Sequence, residues 1–587
     1  MGDFRISRDF MLNGEKIQLI SGSIHYFRVV PEYWYHRLQM LRAMGCNTVE
    51  TYIPWNFHEP RKGKFDFSGI RDVERFIRTA KELGLYAIIR PSPYICAEWE
   101  FGGLPAWLLK EDMVIRSRDP RYLHHVAAYY DHLLPRLAPL QITQGGNILM
   151  MQVENEYGSY GDDKEYLSAL ASMMRERGID VPLFTSDGPE PEMMSCGTLP
   201  GLHPTCNFGS KSAERASFME DWGISPKMCM EFWCGWFDHW GKDHMVTDAK
   251  ASAKDFAEML DHGSINIYMF HGGTSFGLMN GANDFGTLNA DVTSYDYDAP
   301  LSEEGVPTDK YRMFRHAVQQ RTATLLPGLP MAPVPFRSYG RATLVSSMPL
   351  LQGIERQVVH EMLTPQSMEM VDQAYGYIFY RAPLNHEESL RTIHLNGAAD
   401  RVQVMLNGRV IATRMDRELN QAIVFDPPIP VNKGDQLGFL VENMGRVNYG
   451  PRLPLQRKGI AGQIFINGHQ HFGWEAVSLD ENLLATMAVT QAEVPDQTPV
   501  VSSYTFQVDE LGDTWLDMSG FGKGTVAVNG FLLGRFWNIG PQKRLYIPSP
   551  LLKSGENTLL VVETEGVRGN PVLVDVPDLG EAKEIVT

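Results

Sequence analysis

The chain is 587 residues long, which at about 100–200 residues per domain means three or four folding units. Lys and Arg number 53 against 71 Asp and Glu, a net charge of −18, and that balance excludes a phosphate-backbone partner such as nucleic acid, whose binding is built from clustered cations. Hydrophobic residues at 43% and aromatic residues at 11% supply packed cores and exclude wholesale disorder.

The opening MGDFRISRDF has no apolar stretch of signal-peptide length, and Ile6 stands where N-myristoylation wants Ser or Thr. No apolar run is long enough to span a membrane. The six cysteines (Cys46, Cys96, Cys196, Cys206, Cys229 and Cys234) form no CxxC pair, which argues against a zinc site or a disulfide scaffold. A reduced, soluble, cytoplasmic protein is expected.

From Gln18 to Phe270 one rhythm repeats: a short apolar run, a polar or Gly/Pro-rich loop, then a helical pattern. The runs are IQLISG from Gln18, NTVETY from Asn47, YAIIRP from Tyr86, NILMMQ from Asn147, VPLFTS from Val181, TCNFG from Thr205, KMCMEF from Lys227 and INIYMF from Ile265. Amphipathic stretches lie between them, among them YWYHRLQMLRAMG, DVERFIRTAKELG and DAKASAKDFAEMLDHG, with Gly45 and Gly84 where a helix stops. Apolar strands alternating with helices predict a parallel sheet, and eight units over this length predict a (β/α)8 TIM barrel. A doubly wound sheet is the competing architecture, but no GxGxxG turn follows the first strand.

After Gln320 comes the Pro-rich TATLLPGLPMAPVPF, and beyond it helical periodicity nearly vanishes. Short alternating strands follow, broken by Asn396-Gly397, Asn407-Gly408, Asn467-Gly468 and Asn529-Gly530 turns. VQVMLNGRVIAT is similar to TVAVNGFLLGRF, and PPIPVNKGDQLGFLVE to YIPSPLLKSGENTLLVVE. Asn407 and Asn529 lie 122 residues apart, and Glu442 and Glu563 lie 121 apart, so a duplicated β-sandwich is expected. The predicted organisation is a catalytic barrel over 1–325, a linker with strands over 326–375 that lends them to either sandwich, a first β-sandwich over 376–487 and a second over 488–587.

In such a barrel, function gathers at the C-terminal ends of the strands. The fourth run leads into Glu154-Asn155-Glu156-Tyr157, and the seventh into Glu231-Phe232-Trp233-Cys234-Gly235-Trp236. Carboxylates at the ends of strands four and seven meet the requirement for glycosidic cleavage, a proton donor on the leaving oxygen and a second carboxylate at the anomeric carbon. The residues alone do not separate Glu154 from Glu156. Sugars stack their C–H faces on rings, and eight of the 11 Trp lie in the barrel half, including Trp55, Trp99, Trp107 and the cluster Trp233, Trp236 and Trp240. His124-His125 reads as a surface pair and not as a metal site.

GGNILMMQVENEYGSYG, TYIPWNFHEP, IRPSPYICAEWEFGGLPAWLL, EFWCGWFDHWG, MFHGGTSFG and TSYDYDAPLSEEG resemble the successive signatures of glycoside hydrolase family 35, largely exo-acting β-galactosidases. The likeness continues through LVENMGRVNYGP and NGFLLGRFW. The resemblance implies a retaining double displacement without metal or organic cofactor, with Glu156 as acid/base, Glu231 as nucleophile and Asn155 on the sugar 2-hydroxyl. Tyr52, Ala97, Glu98 and Tyr297 would line the galactose pocket, Tyr297 donating to the nucleophile with Tyr295 as its rival. Cys96 would be a packing group, Asp296 and Asp298 would order the loop carrying Tyr297, and Glu154 would be a bystander. Trp236 would be a stacking platform, and Trp233 and Tyr449 would border the aglycone. The two β domains resemble galactose-binding-like jelly rolls that shape the pocket rim.

The substrate implied is a small oligosaccharide with terminal β-galactose, with β-1,3 linkage to an N-acetylhexosamine as the favoured form and a homodimer as the assembly. An exo-β-glucosaminidase on the same scaffold is the enzymatic rival, since a 4-hydroxyl epimer alters only one or two hydrogen bonds. A non-catalytic glycan-binding protein is the rival from another class, opposed by the presence of both glutamates with Asn155 and Tyr297.

Overall fold

The computed structural model describes residues 2–91, 93–323 and 325–586. Eight strands close into a barrel: β1 (Ile20–Ile24), β2 (Thr48–Tyr52), β3 (Tyr86–Arg90), β4 (Ile148–Gln152), β5 (Leu183–Asp187), β6 (His203–Asn207), β7 (Met228–Trp233) and β8 (Ser264–His271). Every neighbouring pair is parallel, including β8 with β1 at the closure. Each expected run therefore holds a strand, in the expected order. The strands are buried because both of their faces are covered, by the barrel interior and by the outer helices, and their polar residues, such as Glu50 and Asn207, are buried with them. Helix α1 (Trp34–Met44) ends at Gly45, whose φ of 103° only glycine adopts freely, and a Cβ there would meet Val318 at 2.6 Å. Helix α2 (Val73–Glu82) is capped by Asp72, which accepts from the Arg75 amide, and buries Val73, Phe76, Ile77 and Ala80 at helical spacing.

The β-rich half forms two sandwiches, each with its own apolar core. In the first, the hairpin Arg401–Leu406 and Arg409–Met415 lies beside Gln436–Glu442; in the second, Lys523–Val528 and Phe531–Trp537 lie beside Gly555–Glu563. The copies agree in detail. Both hairpins turn on Asn-Gly with both residues at positive φ, and both carry a bulge, between Val404 and Met405 and between Val526 and Ala527. Asn407 accepts from the Gln436 amide, as Asn529 accepts from Thr558.

Two connections depart from a simple succession of hairpins. The stretch 326–375 is shared: Gly340–Arg341 and Thr343–Pro349 pair into the second sandwich, whereas Val359–Met362 pairs into the first. The first sandwich is thus nested inside the second, which draws strands from both sides of it. Asn396-Gly397 closes no hairpin, because the chain leaves its sheet there and Ala398–Ala399 pairs with Gly459–Ile460 instead.

From the first sandwich, residues 443–449 reach the barrel mouth. Arg446 contacts Glu100 of the barrel at 2.6 Å and Glu369 at 2.5 Å, with all three side chains fully buried. Burial opposes the guanidinium charge, but the two carboxylates outweigh it and hold Arg446 cationic. The Arg446 carbonyl accepts from the Phe101 amide, and the Asn448 amide donates to Ala282, so backbone bonds reinforce the ion pairs. Replacing Arg446 by Met would leave two buried carboxylates without the cation they share. Breaking such an arrangement costs about 3–5 kcal/mol. A lowered urea midpoint for Arg446→Met is expected, and an unchanged midpoint would contradict this reading.

Candidate active site

One cavity of about 590 Å³ opens at the C-terminal end of the barrel. Tyr52, Ala97, Glu98, Asn155, Glu156, Glu231, Trp233, Trp236, Tyr297 and Tyr449 all border it. The sequence had placed these ten residues on six separated segments, and the fold brings them to one wall system. Several are held in left-handed conformations that non-glycine residues seldom adopt: Ala97 at φ 57°, Glu98 at 46°, Glu156 at 46° and Tyr297 at 64°. Such conformations persist only where the surroundings over-determine them, and here they turn side chains into the mouth.

Glu231, near the end of β7, is 5% exposed and heavily engaged. Its Oε1 accepts from the Tyr52 hydroxyl at 2.6 Å and lies 2.6 Å from Nη1 of Arg90, while Oε2 accepts from Trp233 Nε1 at 3.1 Å. Arg90 ends β3 and is wholly buried. Its Nη2 donates to Asn155 Oδ1 at 2.6 Å, its Nε to Gln152, and its guanidinium lies 4.0 Å over the Tyr52 ring. Burial opposes this charge, but Tyr52, Glu231 and Glu50 outweigh it and keep Arg90 cationic. Asn155 Oδ1 also accepts from Gln152 at 2.9 Å, which with Arg90 fixes the orientation of its amide, and it lies 2.9 Å from the Tyr52 hydroxyl, whose one proton goes to the shorter contact with Glu231.

Glu156 has a different environment. It is partly exposed to the cavity and accepts from Asn207 Nδ2 at 2.8 Å. Burial and then the charge of Glu231 push its carboxyl up to about 7, with Glu98 adding to the rise and Asn207 and Arg90 opposing it. Glu154, two residues earlier, is separated from Glu156 by its partners. It takes both Nε and Nη2 of Arg116 at 2.9 Å, the Tyr166 hydroxyl at 3.0 Å and the Asn155 amide at 2.6 Å. A carboxylate so engaged holds the β4 loop and does not border the cavity.

Residues 9–321 match glycosyl hydrolases family 35. Residues 365–480 match the first all-beta domain of beta-galactosidase, and residues 499–557 its galactose-binding domain. The chain is 42% identical to a beta-galactosidase of Xanthomonas manihotis over 550 residues, covering 92% of this chain and 90% of that one. Identity to a human beta-galactosidase is 39% over 616 residues, covering 99% and 89%. Beta-galactosidase 17 of Arabidopsis thaliana is 36% identical over 605 residues, covering 95% and 86%. The chain belongs to glycosyl hydrolase family 35. It is a glycoside hydrolase, and its two β-rich domains are those of that family.

Within this hydrolase, Glu98 accepts from the Tyr295 hydroxyl at 2.5 Å and lies 3.4 Å from Nδ2 of Asn448, a residue of the first sandwich. Burial pushes Glu98 up to about 7, against the pull of Tyr295 and Arg28. Tyr297 borders the cavity, but among the described residues the hydroxyl bonded to Glu231 is that of Tyr52, and neither Tyr297 nor its rival Tyr295 takes that place. Asp296 and Asp298 do tie the loop around Tyr297: Asp296 accepts from the Glu303 amide at 2.8 Å and Asp298 from Thr247 at 2.7 Å. Cys96 accepts weakly from Asn448 at 3.5 Å, and burial pushes its thiol well up, the behaviour of a packing group.

The tryptophans divide. Trp233 and Trp236 border the cavity edge-to-face at 6.0 Å, whereas Trp55 and Trp99 are fully buried. Trp240, expected with the first two, packs instead with Trp537, Val292 and Val447 where barrel and sandwiches meet. His124 and His125 are not a surface pair either, since His125 is buried against Trp107 and lies 3.1 Å from Glu111. Among the described residues no group of three or more His, Cys, Asp or Glu is arranged to hold a metal.

Arg90 and Asn207 were missed by the sequence reading. The signal was available in each: a lone Arg closing the apolar run YAIIRP, and a lone Asn closing TCNFG, both at the barrel end where function gathers. Tyr52→Phe removes the hydroxyl that donates to Glu231. A hydrogen bond to a charged group is worth about 1.5–3 kcal/mol, so kcat/KM on an aryl glycoside should fall roughly ten- to hundredfold. An unaltered value would show that this bond is idle during turnover.

Proposed function

We propose that the enzyme is an exo-acting, retaining β-galactosidase that releases terminal β-D-galactose from small oligosaccharides by double displacement. The observation that carries this reading is the inequality of two carboxylates in one cavity. Glu231 is surrounded by Tyr52, Arg90 and Trp233, all donors or cations, while burial and the charge of Glu231 push Glu156 up to about 7. The names of the similar proteins supply the sugar, and the β domains of the same family support it.

In the first step Glu231 attacks the anomeric carbon, the glycosidic bond breaks, and Glu156 gives its proton to the departing oxygen. Asn155, its amide fixed by Arg90 and Gln152, is placed to meet the sugar 2-hydroxyl. Glycosylation of Glu231 removes the charge that raised Glu156, so Glu156 ionises. It then takes a proton from water, whose oxygen attacks the anomeric carbon and frees Glu231. Two inversions give net retention. The aromatic rim of Trp233, Trp236 and Tyr449 supports a sugar in the aglycone position, with β-1,3-linked N-acetylhexosamine as the preferred form.

Proton NMR of aryl β-galactoside hydrolysis should show β-galactose before its mutarotated α form; release of another sugar only, or of α-galactose first, would overturn the reading. Glu156→Gln should cost roughly a hundred- to ten-thousandfold on poor leaving groups, and Glu231→Gln at least as much. Small-residue replacements of the two should be rescued by azide with opposite product anomers. Because Glu156 must carry its proton in the first step, kcat/KM should fall as pH rises through about 7. That alkaline limb should disappear in Glu156→Gln. For the linkage, Tyr449→Ala should weaken the preference for a β-1,3 disaccharide over other linkages; an unchanged preference would dismiss the role of Tyr449.

A further inference from the structure

Asn207 ends β6 and is fully buried, yet it borders the cavity. In the β6–β7 ladder it stands opposite Glu231, and the next amide, that of Phe208, donates to the Glu231 carbonyl at 2.9 Å. Its side chain turns the other way, toward Glu156, to whose Oε1 it donates at 2.8 Å through Nδ2. An amide can present either its oxygen or its nitrogen, and a neighbour decides which. Here Ser186, at the end of β5, donates its hydroxyl to Asn207 Oδ1 at 2.6 Å, which leaves Nδ2 for the carboxyl. The Ser186 carbonyl meanwhile accepts from the Glu156 backbone amide at 3.1 Å. One residue on β5 therefore holds the Glu156 backbone and orients the amide that holds its side chain.

We propose that Asn207, oriented by Ser186, is the positioning residue for Glu156, fixing the carboxyl toward the leaving-group oxygen and setting the pH at which it gives up its proton. The proposal rests on the acid/base reading of Glu156. A carboxyl on a left-handed residue at a cavity wall has rotamers to choose from, and among the described residues Asn207 is its one side-chain hydrogen-bond partner. The charged groups around Glu156 do not fix direction. Glu231 from β7, Glu98 from the loop after β3 and Asp187 from β5 repel it, while Arg90 from β3 attracts it without a hydrogen bond. Tyr94, Cys96 and Tyr449 face it as neutral groups. A donor amide stabilises the ionised carboxyl and lowers its pKa, so Asn207 offsets part of the rise caused by burial and Glu231. Without it the acid would be misdirected in the first step and too weakly dissociated for its task in the second.

The test uses the full-length enzyme and compares Asn207→Ala, Asn207→Asp and Ser186→Ala with Glu156→Ala. For each, kcat/KM is followed against pH on an activated nitrophenyl β-galactoside and on a disaccharide. Asn207→Ala should move the alkaline limb upward by half a unit or more. Its loss on the disaccharide should exceed that on the nitrophenyl substrate at least tenfold, because only the disaccharide needs the proton. Ser186→Ala should give the same pattern in weaker form. Asn207→Asp keeps size but replaces the donor by an acid, and should raise the limb further than Ala. A uniform loss on both substrates with an unmoved limb would mean a purely structural role and overturn the proposal. Glu156→Ala separates the two layers: if it fails to show leaving-group dependence and azide rescue, the acid/base reading itself falls. If it shows both while Asn207→Ala leaves the limb in place, only the assignment of Asn207 falls.

Discussion

A guanidinium buried beneath the barrel mouth must be met by charge and hydrogen bonds on every side, and the manner in which Arg90 is met organises the site. It engages Glu231 on β7, Asn155 beyond β4, Gln152 on β4 and the Tyr52 ring on β2, with Glu50 3.9 Å away. Segments from half of the barrel strands are thereby tied to one cation. Two glutamates facing one cavity would otherwise compete for the same proton on equal terms. The cation stands against Glu231 and only influences Glu156 at a distance, so the symmetry between them is broken by position and not by residue type.

The sandwiches complete a wall that the barrel leaves open. Glu98 has Tyr295 on one side, and on the other it has Asn448, which arrives from the first sandwich on a segment anchored by Arg446. The second sandwich secures that segment from behind, where Arg535 donates to the Asn443 carbonyl at 2.6 Å and to Asn280 of the barrel. The C-terminal strand Ala582–Ile585 pairs in parallel with His244–Thr247, in the loop that follows Glu231 and the rim tryptophans. Cavity-lining residues thus depend on contacts with all three domains, and a loss in either sandwich is transmitted to the cavity wall.

Much of this was legible in the sequence. All eight barrel strands overlap the short runs read from the sequence, because the alternation of such runs with helical patterns survives even where a strand such as His203–Asn207 carries buried polar residues. The duplication showed in the Asn-Gly turns because a two-residue hairpin demands φ above zero at both positions. Nine of the ten motif residues that border the cavity lie in the barrel half, at or beyond strand ends that barrel geometry gathers, and Tyr449 joins them from the first sandwich. Side-chain partnership was the part that escaped. Tyr52, Tyr295 and Tyr297 are equivalent as letters, and only the fold decides which hydroxyl reaches Glu231. Trp240 stands seven residues beyond Trp233, yet the loop carries it out of the cavity to the sandwich junction. The nesting of one sandwich in the other also escaped, since Thr343–Pro349 pairs with residues 500–505 and Gly340–Arg341 with Val572 and Leu573, beyond any local pattern.

The duplicated sandwiches show how one scaffold position can acquire two tasks. Gln436–Glu442 and Gly555–Glu563 are equivalent strands, each ending in a buried glutamate. After Glu563 the chain folds back on itself, and that carboxylate accepts the amides of Gly522, Lys523 and Val567 within its own domain. After Glu442 the chain runs on into the barrel mouth, and Glu442 is met instead by Lys523 of the other copy. Arg401, the residue equivalent to Lys523, reaches across in return to Glu565. The two copies therefore face one another through exchanged ion pairs, which frees the end of one strand to leave its sandwich. That released end carries Arg446, Asn448 and Tyr449. The segment after the equivalent strand closes its own domain in one copy and, in the other, forms part of the cavity wall.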